Sequence, residues 1–358
     1  IALRAKGTFA IADSVMSFDN FVIRTAETTL SANGFLGLGD MTSDPRLPMG
    51  LQAEGDISNS DLRMMFSFLS AYLYVLPRNG HLGLELDVNG TPSLLDLKRL
   101  YLRSNGVIQL QAKGTLSNIF SPYRLGVNLN LSGNIQRARG LMGAFLPAEI
   151  VKQYNIPPMT LGGHVRMNGQ NYDARHNAHT MGGALALDGY LRGRAEAYSV
   201  DLSLRDMPVN AFAPALGIGR VSGSLAAKGH GFDFFSPSTA ADVTLRIDSA
   251  MYRNASYRGI DATVRLAEGK ADVKLDSSSD DLDLHLAADG NLSGDTYEWN
   301  ATLNGINIDL YALNLSETES SIKVAMAADA SYTPSTNTIG VNLKLNSLDY
   351  NSGQSNMS

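Results

Sequence analysis

Three histidines, His164, His176 and His179, are close enough in the sequence to be considered as metal ligands. His176 and His179 are three positions apart, which would put both imidazoles on one side of a helix, where they could bind a metal. However, the stretch Tyr172 to Thr180 is polar and has Asp173 as its only carboxylate, so it is predicted to be a loop. We therefore interpret these side chains as solvated loop histidines and predict no metal site.

Three aspartates, Asp280, Asp281 and Asp283, resemble a fragment of a calcium-binding loop. Such a loop also needs a glycine for its sharp turn and a distal glutamate to complete the ring of oxygen ligands. This segment lacks both in the required places. We therefore predict a solvated turn here, without a bound cation.

Catalytic signatures are missing from the rest of the sequence. It has no G-x-S-x-G, phosphate-binding-loop or dinucleotide-binding fingerprint. The absence of cysteine excludes disulfides, thiol nucleophiles and cysteine metal sites. The prediction is a protein that is not an enzyme and uses no cofactor.

Composition narrows the class of protein. The chain has 358 residues, a net charge of −6 and 18% charged residues, so it has no basic field that would attract nucleic acid. Its 44% apolar residues exclude disorder. The length fits two or three ordinary domains or one long repetitive one.

The dominant pattern is clearest between Val200 and Gly231. An alternating run at 200–205 predicts a half-buried strand, a short apolar segment with two prolines predicts a helix, and Gly217 and Gly219 end it before a second alternating run. Versions of this unit, strand then short helix then strand, recur along the chain. The recurrence indicates structural repetition without close sequence identity.

Helical pieces are predicted at Ser60–Leu76, Ile135–Leu146, Val209–Leu216 and Ile308–Leu315. The first is apolar on most sides, which fits either a buried helix or a helix that plugs an apolar channel. The plug residues would be Met65, Phe66, Leu69 and Leu73.

Alternation elsewhere predicts about 20 strands and hence a mainly β fold. The helices are too few and short to cover so many strands, so the sheet must hide its apolar face against itself, lipid or a ligand. Short turns predict an antiparallel meander. Because a sheet that long does not stay flat, we expect a long curled meander that forms an elongated groove, with short helices between groups of strands.

The groove segments are expected at 1–77, 78–147, 148–217 and 218–358. The chain starts and ends in ways that suggest a piece of a longer protein, and no apolar run approaches the roughly 20 residues of a spanning helix. Any membrane anchor is therefore expected outside this piece.

Three architectures remain open from the pattern alone. An outer-membrane barrel would need aromatic girdles at its strand ends, but aromatic residues make up only 8% of the chain. A solid-cored β-solenoid used as a spacer would have shorter repeats than these. The third reading is an open apolar groove that carries hydrocarbon chains.

Strand meanders punctuated by short helices that end in Leu-Pro or Leu-Gly resemble the AsmA-like superfamily, and within it the TamB type. The resemblance rests on Ile57–Leu76–Pro77, Ile135–Leu146–Pro147 and Val209–Leu216, each followed by a strand that ends in glycine. It implies a periplasmic location in a Gram-negative bacterium, an inner-membrane anchor, and movement of phospholipid toward the outer membrane. For the TamB type it also implies association with an outer-membrane assembly barrel.

The sequence thus predicts bridge-like lipid transport, with a scaffold for assembling outer-membrane β-barrel proteins, or a non-transporting spacer, as the alternative. Phospholipid is the expected ligand and nucleic acid is not expected to bind. The residues predicted to line the groove are Leu82, Leu84, Leu86, Leu110, Val127, Leu129, Leu131, Leu161, Val165, Met167, Leu185, Leu187, Val200, Leu202, Leu204, Val221, Leu225, Val243, Leu245, Ile247, Leu282, Leu284, Leu286, Val324, Met326 and Leu343.

Overall fold

The structure is a computed structural model that describes residues 3–65, 79–137, 153–253 and 255–352. These residues form twenty strands and two short helices, apart from brief 3₁₀ turns. All the pairings described between strands are antiparallel. The mainly β antiparallel fold with interspersed short helices is therefore confirmed. Neither helix is long and apolar enough to cross a membrane.

The chain divides into two compact units, residues 1–181 and residues 182–358. The first contains ten strands and helix α1 (Asn59–Met65). Its strands are β1 (Arg4–Ala12), β2 (Val15–Arg24), β3 (Thr29–Gly37), β4 (Met49–Ser58), β5 (His81–Thr91), β6 (Leu94–Ser104), β7 (Ile108–Ser117), β8 (Gly126–Ile135), β9 (Met159–Asn168) and β10 (Asn171–Thr180).

The second unit contains ten strands, most of them longer than those of the first, and helix α2 (Val209–Phe212). Its strands are β11 (Gly183–Arg192), β12 (Ala197–Pro208), β13 (Ile218–His230), β14 (Ala240–Tyr252), β15 (Ala255–Ala267), β16 (Lys270–Ser278), β17 (Leu282–Asn291), β18 (Tyr297–Asp309), β19 (Ser320–Thr333) and β20 (Thr338–Ser352).

Each unit is a simple meander in which every strand pairs with the next one along the chain. The same holds from β11 to β20. Short hairpins favour this order because antiparallel neighbours need only a tight turn. Each unit therefore has one apolar and one polar face, set by the alternation of side chains along its strands.

Fully buried apolar clusters are small. In the first unit Ile57, Leu62 and Val107 form one, and in the second Ala241, Leu266, Ala271 and Leu292 form another. Most large aliphatic side chains on the strands are only half-buried. Among the described residues, no layer of helices covers either apolar face.

Two local predictions were wrong. Residues 172–180 belong to strand β10, whose alanines at 174 and 178 are too small to make the alternation visible in the sequence. The segment Ile308–Leu315 is not a helix: β18 continues to Asp309, and turns follow it.

The predicted helix Val209–Leu216 is fully described and consists of α2 followed by a 3₁₀ turn at Pro214–Leu216. The other two predicted helices are only partly described. The first begins at Asn59, and its residues beyond Met65 lie outside the described part, as do residues 138–152. Ile135 ends strand β8 rather than beginning a helix. The predicted segment boundaries at 77 and 147 therefore fall outside the described residues, whereas the boundary at 217 falls in the turn before β13.

Candidate functional site

The apolar face of the first unit is continuous across β5 to β9. Residues that pair across antiparallel strands lie on the same face, and one row of pairs joins Leu84, Leu102, Leu110, Gly133 and Leu161. Another row of the same face contains Val88, Leu97, Gly114, Leu129 and Val165. The pairing places all predicted lining residues of this unit on this face: Leu82, Leu84, Leu86, Leu110, Val127, Leu129, Leu131, Leu161, Val165 and Met167.

The apolar face of the second unit extends across all ten strands. Leu187, Leu202, Leu225 and Leu245 pair in sequence, and the same row continues to Leu345 in β20. Its predicted lining residues all belong to this face: Leu185, Leu187, Val200, Leu202, Leu204, Val221, Leu225, Val243, Leu245, Ile247, Leu282, Leu284, Leu286, Val324, Met326 and Leu343. Leu343 differs in being 59% exposed on β20.

Contacts in the second unit bridge its apolar face at both ends of its strands. At one end Phe235, in the loop before β14, stacks on Tyr297 at the start of β18, with ring centroids 4.9 Å apart. We call this pair the clasp. At the other end the Tyr257 hydroxyl of β15 donates to the carbonyl of Leu313, which follows β18, at 3.3 Å.

These contacts, together with the apolar cluster that packs residues of β14, β15, β16 and β18, indicate that the sheet of the second unit curls. In a flat sheet β14 and β18 would be about 19 Å apart, since adjacent strands are separated by about 4.8 Å. The amide of Asn314 also donates to the carbonyl of Arg253 at 2.8 Å, which ties the loop after β18 to the turn before β15. The curl is toward the apolar face, and that face becomes the floor of a groove.

A cavity of about 540 Å³ lies in this groove between β12 and β15, within the range of roughly 300–1,000 Å³ typical of small-molecule sites. Ser224 and Arg246 also border it, but they pair with each other in a row of the polar face. Its apolar lining is Leu202, Leu204, Val209, Ile218, Val221, Leu225, Leu245, Ile247, Ala250, Met251, Tyr252, Tyr257 and Ile260. Such a lining suits an alkyl chain rather than a polar ligand.

Helix α1 covers one end of the apolar face of the first unit. Leu62, which is 7% exposed, packs with Ile57 and Val107 against the half-buried Leu82 and Leu84. The position fits a plug. Of the predicted plug residues, Phe66, Leu69 and Leu73 lie outside the described residues, as does the side chain of Met65.

A buried carboxylate holds α1 in this position. Asp61, 4% exposed, accepts hydrogen bonds at Oδ2 from the hydroxyls of Thr25 and Thr28, the latter at 2.6 Å. The hydrogen bond from Thr25 is the largest cause of a lowered pKa of Asp61, and the bond from Thr28 is the next. Burial acts in the opposite direction and raises the pKa. The Thr28 hydroxyl also accepts from the backbone N–H of Ser58 at 3.0 Å, so the turn between β2 and β3 is joined to the start of the helix.

The histidines do not converge. His164 lies on the polar face of β9, where Nδ1 is 3.3 Å from Asn130 Oδ1. His176 and His179 lie on strand β10 and point to opposite faces, since they are three residues apart. Among the described residues, no group of three or more carboxylates or histidines could hold a metal ion.

The aspartates near 280 take part in turn geometry. The carbonyl of Asp280 accepts from the Asn307 amide at 2.7 Å, and the carbonyl of Asp281 accepts from the backbone N–H of Asp309. Asp283 lies on β17, with Oδ1 4.0 Å from Nε2 of His285.

Sequence reasoning missed several residues on the apolar faces, and two groups of them have a clear physical reason. Leu97, Leu100 and Leu102 of β6 were missed because a bulge between Leu97 and Leu100 breaks the alternation. The aromatic residues of the clasp were missed because their contact joins distant parts of the chain. Alternation in β6 on either side of Lys98 is the signal that could have revealed the first group.

Comparison of this chain with protein-family models, with curated proteins and with solved structures finds no match.

Proposed function

We propose that this chain binds the alkyl chains of phospholipids in its apolar groove and moves them along it. The observation that carries the proposal is the continuous apolar face, which no described layer covers and which contains a cavity of about 540 Å³. A large apolar face that no other part of the protein covers normally marks a binding surface.

The physical task of such a groove is to keep hydrocarbon out of water. Each methylene exposed to water costs about 0.8 kcal/mol, so a sixteen-carbon chain costs on the order of 12 kcal/mol. Rows of leucine and valine remove most of this cost along the path, and no polar group in the row from Leu187 to Leu245 would trap a chain. The charged headgroup can stay in water at the open side.

The resemblance to the AsmA-like superfamily supports the wider setting of the proposal. We propose that the groove serves phospholipid transfer between inner and outer membranes in the periplasm, with an inner-membrane anchor in a segment outside this sequence. An outer-membrane assembly barrel is the proposed partner at the far end.

A second candidate is a scaffold for assembling β-barrel proteins. Strand β20 pairs with β19, and its residues 338–351 are all exposed. Val341, Leu343 and Leu345 are each more than half exposed. An exposed apolar strand is a template for pairing with another chain, and this observation favours the second candidate.

Photo-crosslinking tests the first candidate against the second. A benzophenone side chain placed at Leu245, in the cavity, is expected to capture phospholipid during expression, as detected by mass spectrometry. The matched control is Thr244, the preceding residue on the polar face of the same strand. Equal capture at both positions, or capture of lipid at neither, would contradict the groove proposal.

A further inference from the structure

The polar face of the first unit has a concavity of about 560 Å³ that the groove does not use. Its polar lining comes from the middle of β6, β7 and β8: Lys98, Arg99, Tyr101, Gln111, Lys113, Asn130 and Ser132. We propose that this concavity binds a phosphorylated polyol, that is, a ring or chain of hydroxyl groups carrying a phosphate.

The charge of the lining is the first argument. Three cations and no carboxylate line the concavity, in a chain whose net charge is −6. Arg99 is neutralised by Glu85, with Nη2 2.6 Å from Oε2. Lys98 and Lys113 form no ion pair among the described residues. Two positive charges thus remain for a ligand, and a phosphate dianion matches them.

A β-bulge brings these cations together. Leu97 pairs with Gly114 and Leu100 with Ala112, so that Lys98 and Arg99 both lie opposite Lys113. Bulges re-aim side chains in this way and often do so at binding sites. Gly114 permits the geometry: its φ is +145°, and a Cβ there would collide with the carbonyl oxygen of Asn128.

The arrangement is unfavourable for the free protein. Like charges placed directly opposite each other across a strand pair destabilise the sheet. Nothing in the packing of the apolar face requires cations at 98 and 113, since both side chains are exposed on the other face. An anion held between them would replace the repulsion with two charge-assisted contacts.

Neutral hydrogen-bonding groups lie beside the lysines. Tyr101, Gln111 and Ser132 pair across the three strands in the next row of the polar face. That row is two residues along the strand from Lys113, about 7 Å away. A phosphate at the lysines would leave the attached hydroxyls over these groups, which donate and accept hydrogen bonds as hydroxyls need.

Titration calorimetry on the full chain tests the site. Glucose 6-phosphate is expected to bind at least ten-fold more tightly than inorganic phosphate, and glucose is expected not to bind. The double variant Lys98→Gln/Lys113→Gln should weaken the binding of glucose 6-phosphate by at least ten-fold. The control variant Lys228→Gln, a lysine of the second unit that lies 4.0 Å from Asp242, should bind as the wild type does.

A second arm distinguishes the source of the polyol. Phosphatidylcholine vesicles containing phosphatidylinositol 4-phosphate present the same chemistry on a lipid. Binding to these vesicles that is lost in the double variant supports a lipid headgroup, and binding of glucose 6-phosphate alone supports a free ligand.

Equal affinity for inorganic phosphate and glucose 6-phosphate, unchanged binding in the double variant, or no binding to either probe would overturn the proposal. The proposed ligand contacts lie on the polar face of the first unit and use none of the side chains of its apolar face that are predicted to contact lipid, so these outcomes do not depend on lipid transport.

Discussion

At the scale of single residues, Asp61 is the most constrained charge in the described chain. Its carboxylate is 4% exposed and accepts hydrogen bonds from two threonine hydroxyls. A buried charge is tolerated when it is hydrogen-bonded in this way. Because the bonds join α1 to the turn between β2 and β3, Asp61 determines whether the helix stays over the end of the apolar face.

We expect Asp61→Asn to lower the free energy of unfolding by about 1–2 kcal/mol at pH 7, because hydrogen bonds to a charged acceptor are roughly twice as strong as neutral ones. The pKa of Asp61 is lowered in the folded protein. Its charge therefore contributes stability above the unfolded-state pKa of about 3.9, and this contribution is lost as the pH falls through the folded-state pKa.

Urea unfolding of the two proteins between pH 3 and pH 7 measures this difference. The gap between wild type and Asp61→Asn should be full at pH 7 and should shrink below about pH 4. Asp280→Asn, at an exposed turn position, is the control and should leave stability nearly unchanged. A gap that stays constant with pH would show that the charge is not responsible.

At the scale of elements, the clasp connects two strand ends that are four strands apart. Phe235 and Tyr297 are stacked at an interplanar angle of 14°, and Tyr297 packs in turn against the small apolar cluster of the second unit. Stacked aromatic pairs contribute about 0.5–1.5 kcal/mol beyond the area they bury. The clasp therefore contributes a modest free energy that holds the loop before β14 against the start of β18.

A double-mutant cycle is expected to show this coupling. Phe235→Ala and Tyr297→Ala should be non-additive by about 0.5–1.5 kcal/mol in urea unfolding. Phe234→Ala is the matched control, since Phe234 is 56% exposed and makes no ring contact within the described residues. Additive effects of the first pair would contradict the clasp as an energetic link.

The strands were largely predictable from the sequence, and the exceptions have physical causes. Alternation of large aliphatic and polar residues predicted β12, β13 and β14, because each has one half-buried face. It did not predict β10, where the small Ala174 and Ala178 share the apolar face with His176, so that polar residues dominate the pattern. The helix expected from Ile308 was wrong because a bulge between Gly305 and Ile308 lets β18 continue.

The candidate site was predictable only in part. The faces follow from the parity of residues along each strand, so the lining residues could be assigned without a structure. A curled sheet was expected from the number of strands, but the contacts that hold the curl of the second unit, such as that of Tyr257 with Leu313, could not be predicted because the two residues are far apart in the sequence. The concavity beside Lys98 was equally hidden, since a bulge shifts the register there.

At the scale of the whole molecule, each unit is a meander whose apolar face is covered, among the described residues, only by short segments at the ends of its strands. Few large side chains are fully buried, so the two units depend on strand pairing and on small clusters for their stability. The small number of fully buried side chains is expected if the groove holds lipid, because bound alkyl chains would then complete the apolar packing. Binding would stabilise the folded state by mass action.

A charge in the cavity should therefore block transfer without unfolding the sheet. Leu204 lines the cavity, and a carboxylate there would be desolvated by a passing alkyl chain, at a cost of several kcal/mol. We expect Leu204→Asp to reduce phospholipid transfer between donor and acceptor vesicles at least ten-fold. Ser203→Asp, one residue earlier on the polar face, should transfer lipid normally. Circular dichroism of both variants should match the wild type.

If Leu204→Asp disturbs folding, Leu129→Asp tests the same point in the first unit, with Asn128→Asp as its control. Normal transfer by a folded variant of either leucine would mean that lipid does not travel along the apolar face.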